Sequence, residues 1–445
     1  MTEARTPKSD ESEQLSPEYR ANGRKALGAA MWGFFVDMYD VYLPVVVLAP
    51  AIGYFTDANW TPVQTATLTA LIFASSLIGR PLGSIIFGAM GDKLGRRRTT
   101  IIVAGGFSVS TGLIALMPGH ATLGVWAPII LVVLRLLDGV FLGGEYTAAN
   151  PLAMEYAPQK RRGLYGSLLN IGYPAALAVI TLITIGLLAV IPSGAADSAY
   201  SRWGWRIPFA VGFVISAAMF WYYLRSVPES ELWTKMTKVK NPLRTLFTGQ
   251  NLRRLGVAFV VGSGAWLTLD GTVGAFSSHM KGLETPVGVI NVAVLIAAIV
   301  GVIAFPLIGA AGQQWGRRRI VTWLGILNVI ITPIALVVAF SDPHSSTAVI
   351  AGGSVAIFVA LLVWAMITAY IMEMFPTEIR SSGYGIAYSL PSVIPAFYGY
   401  YMVALGGIMP YRFTPLVIVV IGGALLIIGA ALSKDRRHVH LADVR

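Results

Sequence analysis

Acidic residues inside long apolar stretches are the part of this sequence best suited to chemistry. Asp37 and Asp40 lie in the first such stretch, Glu145 in the fourth and Asp270 in the seventh. A spacing of three residues places Asp37 and Asp40 on one face of a helix. Two carboxylates this close do not both ionise readily where the dielectric constant is low. We therefore expect Asp37 and Asp40 to take up and release protons, and Glu145 and Asp270 are further candidates because an ionised side chain at membrane depth is usually paired, protonated or functional.

Two of these positions also have a structural interpretation. In that interpretation, one carboxylate of the first pair accepts hydrogen bonds from unwound backbone near Pro44. Asp270 would likewise bond to Ser263 or Thr268 on its own helix. In both cases the carboxylate would serve the fold and carry no proton.

Permanent cations in the apolar stretches are the second candidate group. Arg135 lies in the fourth stretch, and its guanidinium suits a carboxylate or a phosphate bidentately. It either binds an anionic substrate or pairs with Asp138, three residues further on. Arg80, next to Pro81 in the second stretch, is assigned to helix packing.

The sequence lacks the patterns expected of an enzyme. It contains no HExxH, GxSxG or GxxxxGK[ST] motif, and its five histidines lie at the ends of apolar stretches, in loops or in the tail. It has no cysteine, which excludes thiolate chemistry, disulfides and cysteine-ligated metals. We expect no enzymatic activity and no cofactor, with a proton gradient as the energy source.

The elements that position these residues are membrane helices. Hydrophobic residues make up 55% of the 445 residues, charged residues make up 12%, and the mean hydropathy is +0.67. A soluble domain usually carries about twice that charged fraction, and about 20 apolar residues span a bilayer. Twelve such stretches fit between residues 26 and 433. This composition disfavours a soluble enzyme and a disordered chain.

The distribution of basic residues predicts the topology. With the amino terminus in the cytoplasm, 27 of the 33 lysine and arginine residues fall on the cytoplasmic side and 4 on the other. This asymmetry is the positive-inside rule and predicts both termini inside. The net charge of +11 is therefore a topology signal, and no nucleic-acid partner is expected. We expect a multi-pass protein of a bacterial cytoplasmic membrane.

Two motifs recur at nearly constant offsets. The run GAMGDKLGRRR at 88–98 returns as GAAGQQWGRRR at 309–319, an offset of 221 residues. The run EYAPQKRR at 155–162 returns as EMFPTEIR at 373–380, an offset of 218. Such repetition predicts duplicated halves, and paired halves in a membrane chain favour alternating access around a midplane site.

The predicted fold is an all-α membrane protein with 12 transmembrane helices in two pseudo-symmetric six-helix bundles. The predicted domains are a disordered cytoplasmic tail (1–25), an N-terminal bundle (26–226), a cytoplasmic linker (227–253), a C-terminal bundle (254–433) and a cytoplasmic tail (434–445).

Several motifs resemble the major facilitator superfamily over almost the whole chain. They are the GxxxDKxGRR run at 88–97, RLLDG at 135–139 and PES at 228–230. GGEY at 143–146, EYAPQKRRG at 155–163 and RWGWRIPF at 202–209 resemble the metabolite:proton symporters of that superfamily. FFVDMYD at 34–40 and WLTLD at 266–270 also resemble phosphate:proton symporters, and the aspartates of the first run resemble those of aromatic-acid:proton symporters. Gly274, where phosphate symporters carry an aromatic, departs from that pattern.

The resemblance implies roles for further residues. It implies substrate or proton roles for Trp266, Asp270, Glu145 and Arg135, and we add Tyr39 and Tyr146 because they adjoin buried acids. Charged residues at the cytoplasmic helix ends are expected to form an interdomain gate that closes when the cavity faces outward. These gating residues are Asp92, Arg96, Glu155, Arg162, Glu373 and Arg380. Gln313 replaces the acid of the first repeat, which makes a charge lock on the C-terminal side less favoured.

The function that these residues favour is proton-coupled uptake of a small anionic or zwitterionic metabolite, such as an organic acid. The expected partners are that small molecule, protons and the lipid bilayer, and the protein is expected to act as a monomer. The alternatives are a proton-driven antiporter that exports drugs or metabolic products, an inorganic phosphate:proton symporter, and a non-transporting membrane receptor.

Overall fold

A computed structural model of the protein describes residues 16–57, 59–191, 197–236, 239–439, 441 and 444. These residues form helices and connecting segments, with no β-strand among them. The N-terminal half contains α1 (Pro17–Tyr42), α2 (Pro62–Leu94), α3 (Arg96–Leu116), α4 (Trp126–Glu155), α5 in two pieces (Arg162–Asn170 and Gly172–Val190) and α6 (Arg206–Ser226).

The C-terminal half repeats this order. It contains α7 (Gly249–Leu269), α8 (Val287–Trp315), α9 (Arg317–Ser341), α10 in two pieces (Ser346–Leu362 and Trp364–Met372), α11 in two pieces (Arg380–Ser389 and Tyr398–Gly406) and α12 (Thr414–Leu432). Shorter helices lie at His120–Leu123, Glu231–Lys235, Pro242–Leu246 and Ala275–Gly282. Single 3-10 or π segments lie at Leu43–Leu48, Ala49–Tyr54, Gln159–Arg161, Tyr200–Gly204, Asp270–Gly274, Thr377–Ile379, Leu390–Val393, Pro395–Phe397 and Tyr411–Phe413.

The ends of the helices follow from local sequence. The Ser16 side chain accepts the backbone N–H of Tyr19, so α1 begins at Pro17. The predicted disordered tail is thus helical from residue 17 to 25, and residues 1–15 lie outside the described residues. Gly95 and Gly316 join α2 to α3 and α8 to α9 with φ of 111° and 104°. Only glycine adopts such angles easily, which explains its recurrence at the 221-residue offset.

Eleven helices in the described part of the chain are long and apolar enough to cross a bilayer. The predicted eleventh crossing, 383–406, is broken into short pieces instead. Pro391 and Pro395 fall within it, and neither has an N–H to continue the helical hydrogen bonding. The helices corresponding to each other in the two halves, α1 and α7, both pass into π segments, at Leu43–Leu48 and Asp270–Gly274. Such segments are frequent at functional sites.

The outer surface of the bundle is apolar and its interior holds the charges. Ile303 and Leu307 of α8 are each 66% exposed, as expected of side chains that face lipid. Arginines, in contrast, are among the largest fully buried side chains. The two halves meet where α2 packs against α11 and where α5 packs against α8 and α10.

The predicted linker and tail are partly structured. The linker contains the short helices Glu231–Lys235 and Pro242–Leu246, and α7 begins at Gly249, inside the predicted linker. The C-terminal tail returns to the bundle, and Leu441 is buried there. We call the end of the bundle that carries the loops after α2, α4, α8 and α10 the basic end.

Candidate functional site

An ion pair between Asp37 of α1 and Arg80 of α2 lies at the centre of the N-terminal half. Asp37 Oδ1 and Arg80 Nη2 are 2.6 Å apart, and both side chains are fully buried. Arg80 Nε and Nη1 and Asp37 Oδ2 have no hydrogen-bond partner. Arg80, which the sequence assigns to packing, is thus an ion-pair partner with spare donors.

A second cluster joins Asp40, Arg135 and Asp138. Arg135 Nη1 lies 2.6 Å from Asp40 Oδ2 and 2.9 Å from Asp138 Oδ2. The expected pairing of Arg135 with Asp138 is therefore present, and Asp40 joins it. The pair Asp37 and Asp40 thus binds two different guanidinium groups, on α2 and α4, in place of unwound backbone near Pro44.

Glu145 of α4 is buried, and its carboxylate has no hydrogen-bond partner among the residues that the structure describes. The residue is 1% exposed. It lies against Gly33 of α1, where an added Cβ would come within 1.9 Å of Glu145 Oε1. A larger residue at position 33 would therefore displace this carboxylate from its place beside α1.

Asp270 begins the π segment that follows α7. Ser263 and Thr268 donate their hydroxyl hydrogens to the carbonyls of Phe259 and Ala265, at 2.8 and 2.9 Å. The structural interpretation of Asp270, a bond to one of these two residues, is therefore wrong. Asp270 is buried, and its Oδ2 has no partner.

A cavity between the two halves brings several of these residues together. Its walls come from α1, α2, the α7 region and Tyr398; the lining includes Tyr42, Phe73, Leu77, Trp266, Asp270 and Tyr398. The Arg80 guanidinium carbon lies 5.9 Å from the Trp266 ring centre and 5.8 Å from that of Tyr146. Arg80 thus reaches the boundary between the halves. Arg135 was singled out because it is a cation in an apolar stretch, and the same signal could have identified Arg80 as a site residue.

Aromatic rings from both halves pack beside this cavity. Trp266 lies 4.7 Å from Trp364, and Tyr388 lies 4.6 Å from Tyr146, measured between ring centres. The Tyr146 hydroxyl is 2.5 Å from the Ser389 hydroxyl across the boundary. Of the predicted substrate residues, Trp266, Tyr146 and Asp270 lie at this boundary.

Tyr39 and Arg135 lie elsewhere in the site. The Tyr39 hydroxyl donates to the carbonyl of Pro208 at 3.1 Å, so this side chain packs between α1 and α6 within the N-terminal half. Arg135 is held by Asp40 and Asp138 in the same half. The structure therefore places Arg80, and not Arg135, against the facing half.

The basic end is closed by ion pairs between the halves. Arg380 Nη1 lies 3.0 Å from Glu155 Oε1, and Arg162 Nη1 lies 3.3 Å from Glu373 Oε1. Each pair joins the two halves. The N-terminal half supplies the glutamate of the first pair and the arginine of the second pair. The 218-residue offset relates both the glutamates and the arginines.

Ion pairs within each half brace these glutamates. Arg96 lies 2.6 Å from Asp92 and 3.1 Å from Glu155. Arg317, at the 221-residue offset from Arg96, lies 3.0 Å from Glu373. All six predicted gating residues are buried and meet at the basic end.

Two further side chains span the boundary at the basic end. Asp92 accepts the backbone N–H groups of Ser381 and Ser382 at 3.1 and 2.9 Å. Gln313 accepts the backbone N–H of Gly163 at 3.0 Å. The amide at 313 therefore keeps a bond between the halves without the charge, and the ion pair of Glu373 with Arg162 supplies the charge on this side.

The PES element supports the same region. Glu229 accepts the backbone N–H groups of Arg96 and Arg97 at 3.0 and 3.2 Å, where α3 begins. Burial raises the pKa of Glu229 above its usual range, against the opposing effect of these hydrogen bonds. Ser230 donates to Glu155. The element thus caps α3 and holds a gating carboxylate in place.

The C-terminal tail crosses the closed end. Arg380 donates to the carbonyl of Leu441 at 2.9 Å, and Arg162 donates to the carbonyl of Val439 at 3.1 Å. The tail therefore contacts an arginine from each half. Sequence reasoning missed this contact because a backbone carbonyl leaves no signature in a side-chain pattern.

Comparisons with known proteins bear on the family of this chain. The Major Facilitator Superfamily profile matches residues 30–388. The chain is 30% identical over 419 residues to an inner membrane metabolite transport protein of Escherichia coli, covering 89% of this chain and 90% of that protein. It is 28% identical over 380 residues to the alpha-ketoglutarate permease of Escherichia coli, covering 83% and 84%.

A solved structure shares the fold. The structure of the proton:xylose symporter with bound 6-bromo-6-deoxy-D-glucose superposes with a TM-score of 0.68, covering 93% of this chain and 94% of that one. The sequence identity is 18%, so this likeness concerns the fold alone.

Proposed function

This chain belongs to the major facilitator superfamily, and on that premise we propose that it imports a small anionic or zwitterionic metabolite together with protons. The superfamily is one of membrane transporters, and the chain is a multi-pass membrane transporter and not an enzyme. What we propose is that protons are the coupling ion, that transport is inward and that the substrate is a small anionic or zwitterionic metabolite.

The imbalance of buried charge is the observation that carries the proposal. Between the two ends of the described bundle, five carboxyl groups lie at most 5% exposed: Asp37, Asp40, Asp138, Glu145 and Asp270. Two buried guanidinium groups, those of Arg80 and Arg135, accompany them. An ionised group at membrane depth costs several kcal/mol unless it is paired. Among the described residues Glu145 forms neither an ion pair nor a hydrogen bond through its carboxylate, so a proton is the counter-ion that it can take.

The geometry of the two ends supports inward transport of substrate with protons. The basic end, which we place in the cytoplasm with both termini, is closed by the ion pairs of Glu155 and Glu373. The cavity lies on the other side of the Trp266 and Arg80 layer, towards the opposite end. A substrate and a proton that enter this cavity from outside would therefore meet Asp270 on its wall.

The cation at the boundary supports a substrate with a carboxylate. Arg80 has two nitrogens without hydrogen-bond partners, and a guanidinium matches a carboxylate geometrically. One relative bears the name of an alpha-ketoglutarate permease, which is a transporter of a carboxylate.

A pH jump on proteoliposomes tests this function. The vesicles contain the purified protein and an internal pH dye, and the outside is made acidic in the presence of organic acids, betaines or phosphate. Symport predicts substrate-dependent acidification of the lumen together with inward flux of labelled substrate. Substrate-dependent alkalinisation would instead identify an antiporter that exports its substrate. Substrate flux without any proton movement would overturn proton coupling.

A further inference from the structure

A groove at the basic end lies between the beginning of α7 and the ends of α10 and α12. Among the described residues that line it there is no acid, and four are basic: Arg253, Arg254, Lys434 and Arg436. Arg253 and Lys434 are exposed, and the other two are partly buried. A groove lined by charges of one sign attracts ions of the opposite sign, so this one is suited to an anion.

The four cations lie together although like charges repel. Two belong to the first turns of α7, whereas Lys434 and Arg436 follow the end of α12. Arg436 acts electrostatically on Arg254 as a like charge. The Arg436 guanidinium donates to the carbonyl of Met374, a neutral acceptor, at 3.4 Å. An anion between the two segments of chain would offset this repulsion.

The groove is continuous with the lipid-facing surface of α12. Leu432 lines the groove at the end of this helix and is 57% exposed. Ile428 and Ile421 lie on the same helix face, and they are 50% and 49% exposed. We call these three residues the α12 stripe. The basic groove therefore lies directly above a surface that hydrocarbon chains can cover.

We propose that this groove binds the phosphodiester headgroup of an anionic phospholipid, with an acyl chain along the α12 stripe. Basic pockets between membrane helices favour such headgroups, because each nearby lysine or arginine adds to the attraction. A soluble phosphate would make no apolar contact with the stripe, and a lipid without net charge would leave the positive charge of the groove uncompensated. This inference uses neither the proposed substrate nor the proposed coupling ion.

Quenching by brominated lipid tests the proposal on the full chain in nanodiscs. Because the chain has no cysteine, a fluorophore can be attached at Gln250→Cys, which lines the groove. The control label is at Trp315→Cys, an exposed position beside the basic loop after α8. Nanodiscs of phosphatidylcholine receive increasing fractions of brominated phosphatidylglycerol or, in a parallel series, of brominated phosphatidylcholine.

The two labels are expected to give different lipid preferences. At Gln250→Cys, half-maximal quenching should need at least a fivefold lower fraction of phosphatidylglycerol than of phosphatidylcholine. The label at Trp315→Cys reports the general attraction of the basic end, and there we expect at most a twofold preference. Equal half-maximal fractions of the two lipids at Gln250→Cys, or the same preference at both labels, would overturn the proposal.

Neutralisation of the lining locates the contact. Arg253→Gln together with Lys434→Gln removes two exposed cations of the groove, and should raise the half-maximal fraction of phosphatidylglycerol at the Gln250→Cys label at least fivefold. Arg98→Gln together with Arg161→Gln is the matched control, since it removes the same charge from exposed positions of the basic end outside the groove. An unchanged titration in the groove variant, or an equal rise in the control variant, would contradict the assignment.

Inorganic phosphate distinguishes the lipid from a soluble anion. It is added to nanodiscs in which phosphatidylglycerol has quenched the Gln250→Cys label, with sodium chloride of the same ionic strength as the reference. We expect the label to stay as quenched in phosphate as in chloride. Recovery of fluorescence in phosphate alone would overturn the lipid assignment and identify a site for a soluble phosphate. Because the label reports the groove and not transport, either result leaves the proposed function to its own test.

Discussion

The side chain of Gln313 accepts a hydrogen bond from the backbone nitrogen of Gly163, 3.0 Å away, across the boundary between the two halves. Asp92 corresponds to Gln313 at the offset of 221 residues, and Ser381 corresponds to Gly163 at the offset of 218. The equivalent contact is the hydrogen bond from the Ser381 backbone nitrogen to Asp92. The basic end is therefore closed by two contacts of the same geometry, of which one carries a charge. Across the boundary the Asp92 carboxylate also accepts from the Ser382 hydroxyl, whereas the Gln313 amide donates to the carbonyl of Gln159. The charged contacts therefore lie on the Asp92 side, where each hydrogen bond is the stronger.

Removal of the Asp92 charge is expected to open the basic end. Asp92→Asn keeps the shape but loses the ion pair with Arg96 and aims an N–H₂ group at backbone donors. A hydrogen bond to a charged group contributes about 2 kcal/mol, which corresponds to roughly a thirtyfold change in the ratio of closed to open states. Because the chain has no cysteine, spin labels at Lys93→Cys and Arg318→Cys report the distance between the halves directly.

Asp57→Asn is the matched control for this variant, since Asp57 is a partly exposed acid outside the gate. It should leave the distance distribution between the two labels unchanged. If Asp92→Asn also leaves it unchanged, the Asp92 contacts do not determine closure.

Removal of the tail is expected to weaken the same closure by a smaller amount. A chain that ends at Arg437 lacks the carbonyls of Val439 and Leu441 that accept from Arg162 and Arg380. These arginines keep their glutamate partners, so we expect a shift of about 1 kcal/mol towards the open state. The spin-label distance measures it, and a second truncation after Val439, which removes the Leu441 carbonyl alone, should give an intermediate distribution. A distribution identical to that of the full chain would show that the tail contacts carry no closing energy.

The sequence predicts the gate better than it predicts the central site. The gating residues recur at constant offsets, so the sequence predicts that they meet at one end of the bundle, and the structure adds the pairing of Glu155 with Arg380 and of Glu373 with Arg162. The bond between Asp37 and Arg80 has no such signature, because it depends on how α1 packs against α2. The helix breaks between Ser389 and Tyr398 because of Pro391 and Pro395. Hydropathy alone treats this stretch as one apolar crossing and does not detect the break. A helix capped by Ser16 was likewise hidden in a polar segment that resembles a disordered tail.

Neutralisation of Glu145 is expected to uncouple transport from protons. Glu145→Gln removes a proton-accepting group without leaving a cation unpaired, because neither carboxylate oxygen has a partner. Uphill uptake driven by a pH gradient should fall at least tenfold, while counterflow exchange of labelled substrate should persist. Glu18→Gln, at an exposed acid in the first turn of α1, should leave both activities unchanged. Undiminished uphill uptake by Glu145→Gln would remove Glu145 from the proton pathway.

Neutralisation of Asp40 is expected to have a second effect, because Asp40 is paired with Arg135. Asp40→Asn leaves Arg135 with Asp138 as its remaining ion-pair partner. We expect loss of uphill uptake with counterflow retained, as for Glu145→Gln, together with a lower unfolding temperature that Glu145→Gln does not share. Uphill uptake that persists at an imposed gradient would exclude Asp40 as a coupling site.

The pair of Asp37 and Arg80 is expected to reveal itself as a strong energetic coupling. Asp37→Asn leaves the Arg80 guanidinium buried without its carboxylate, which typically costs about 3 kcal/mol of unfolding free energy. Arg80→Gln should cost a similar amount, but the double variant should cost less than the sum because no unpaired charge remains. Denaturant unfolding of the four proteins in detergent measures the coupling. Additive losses would mean that the two side chains contribute to stability independently, contrary to the ion pair at 2.6 Å.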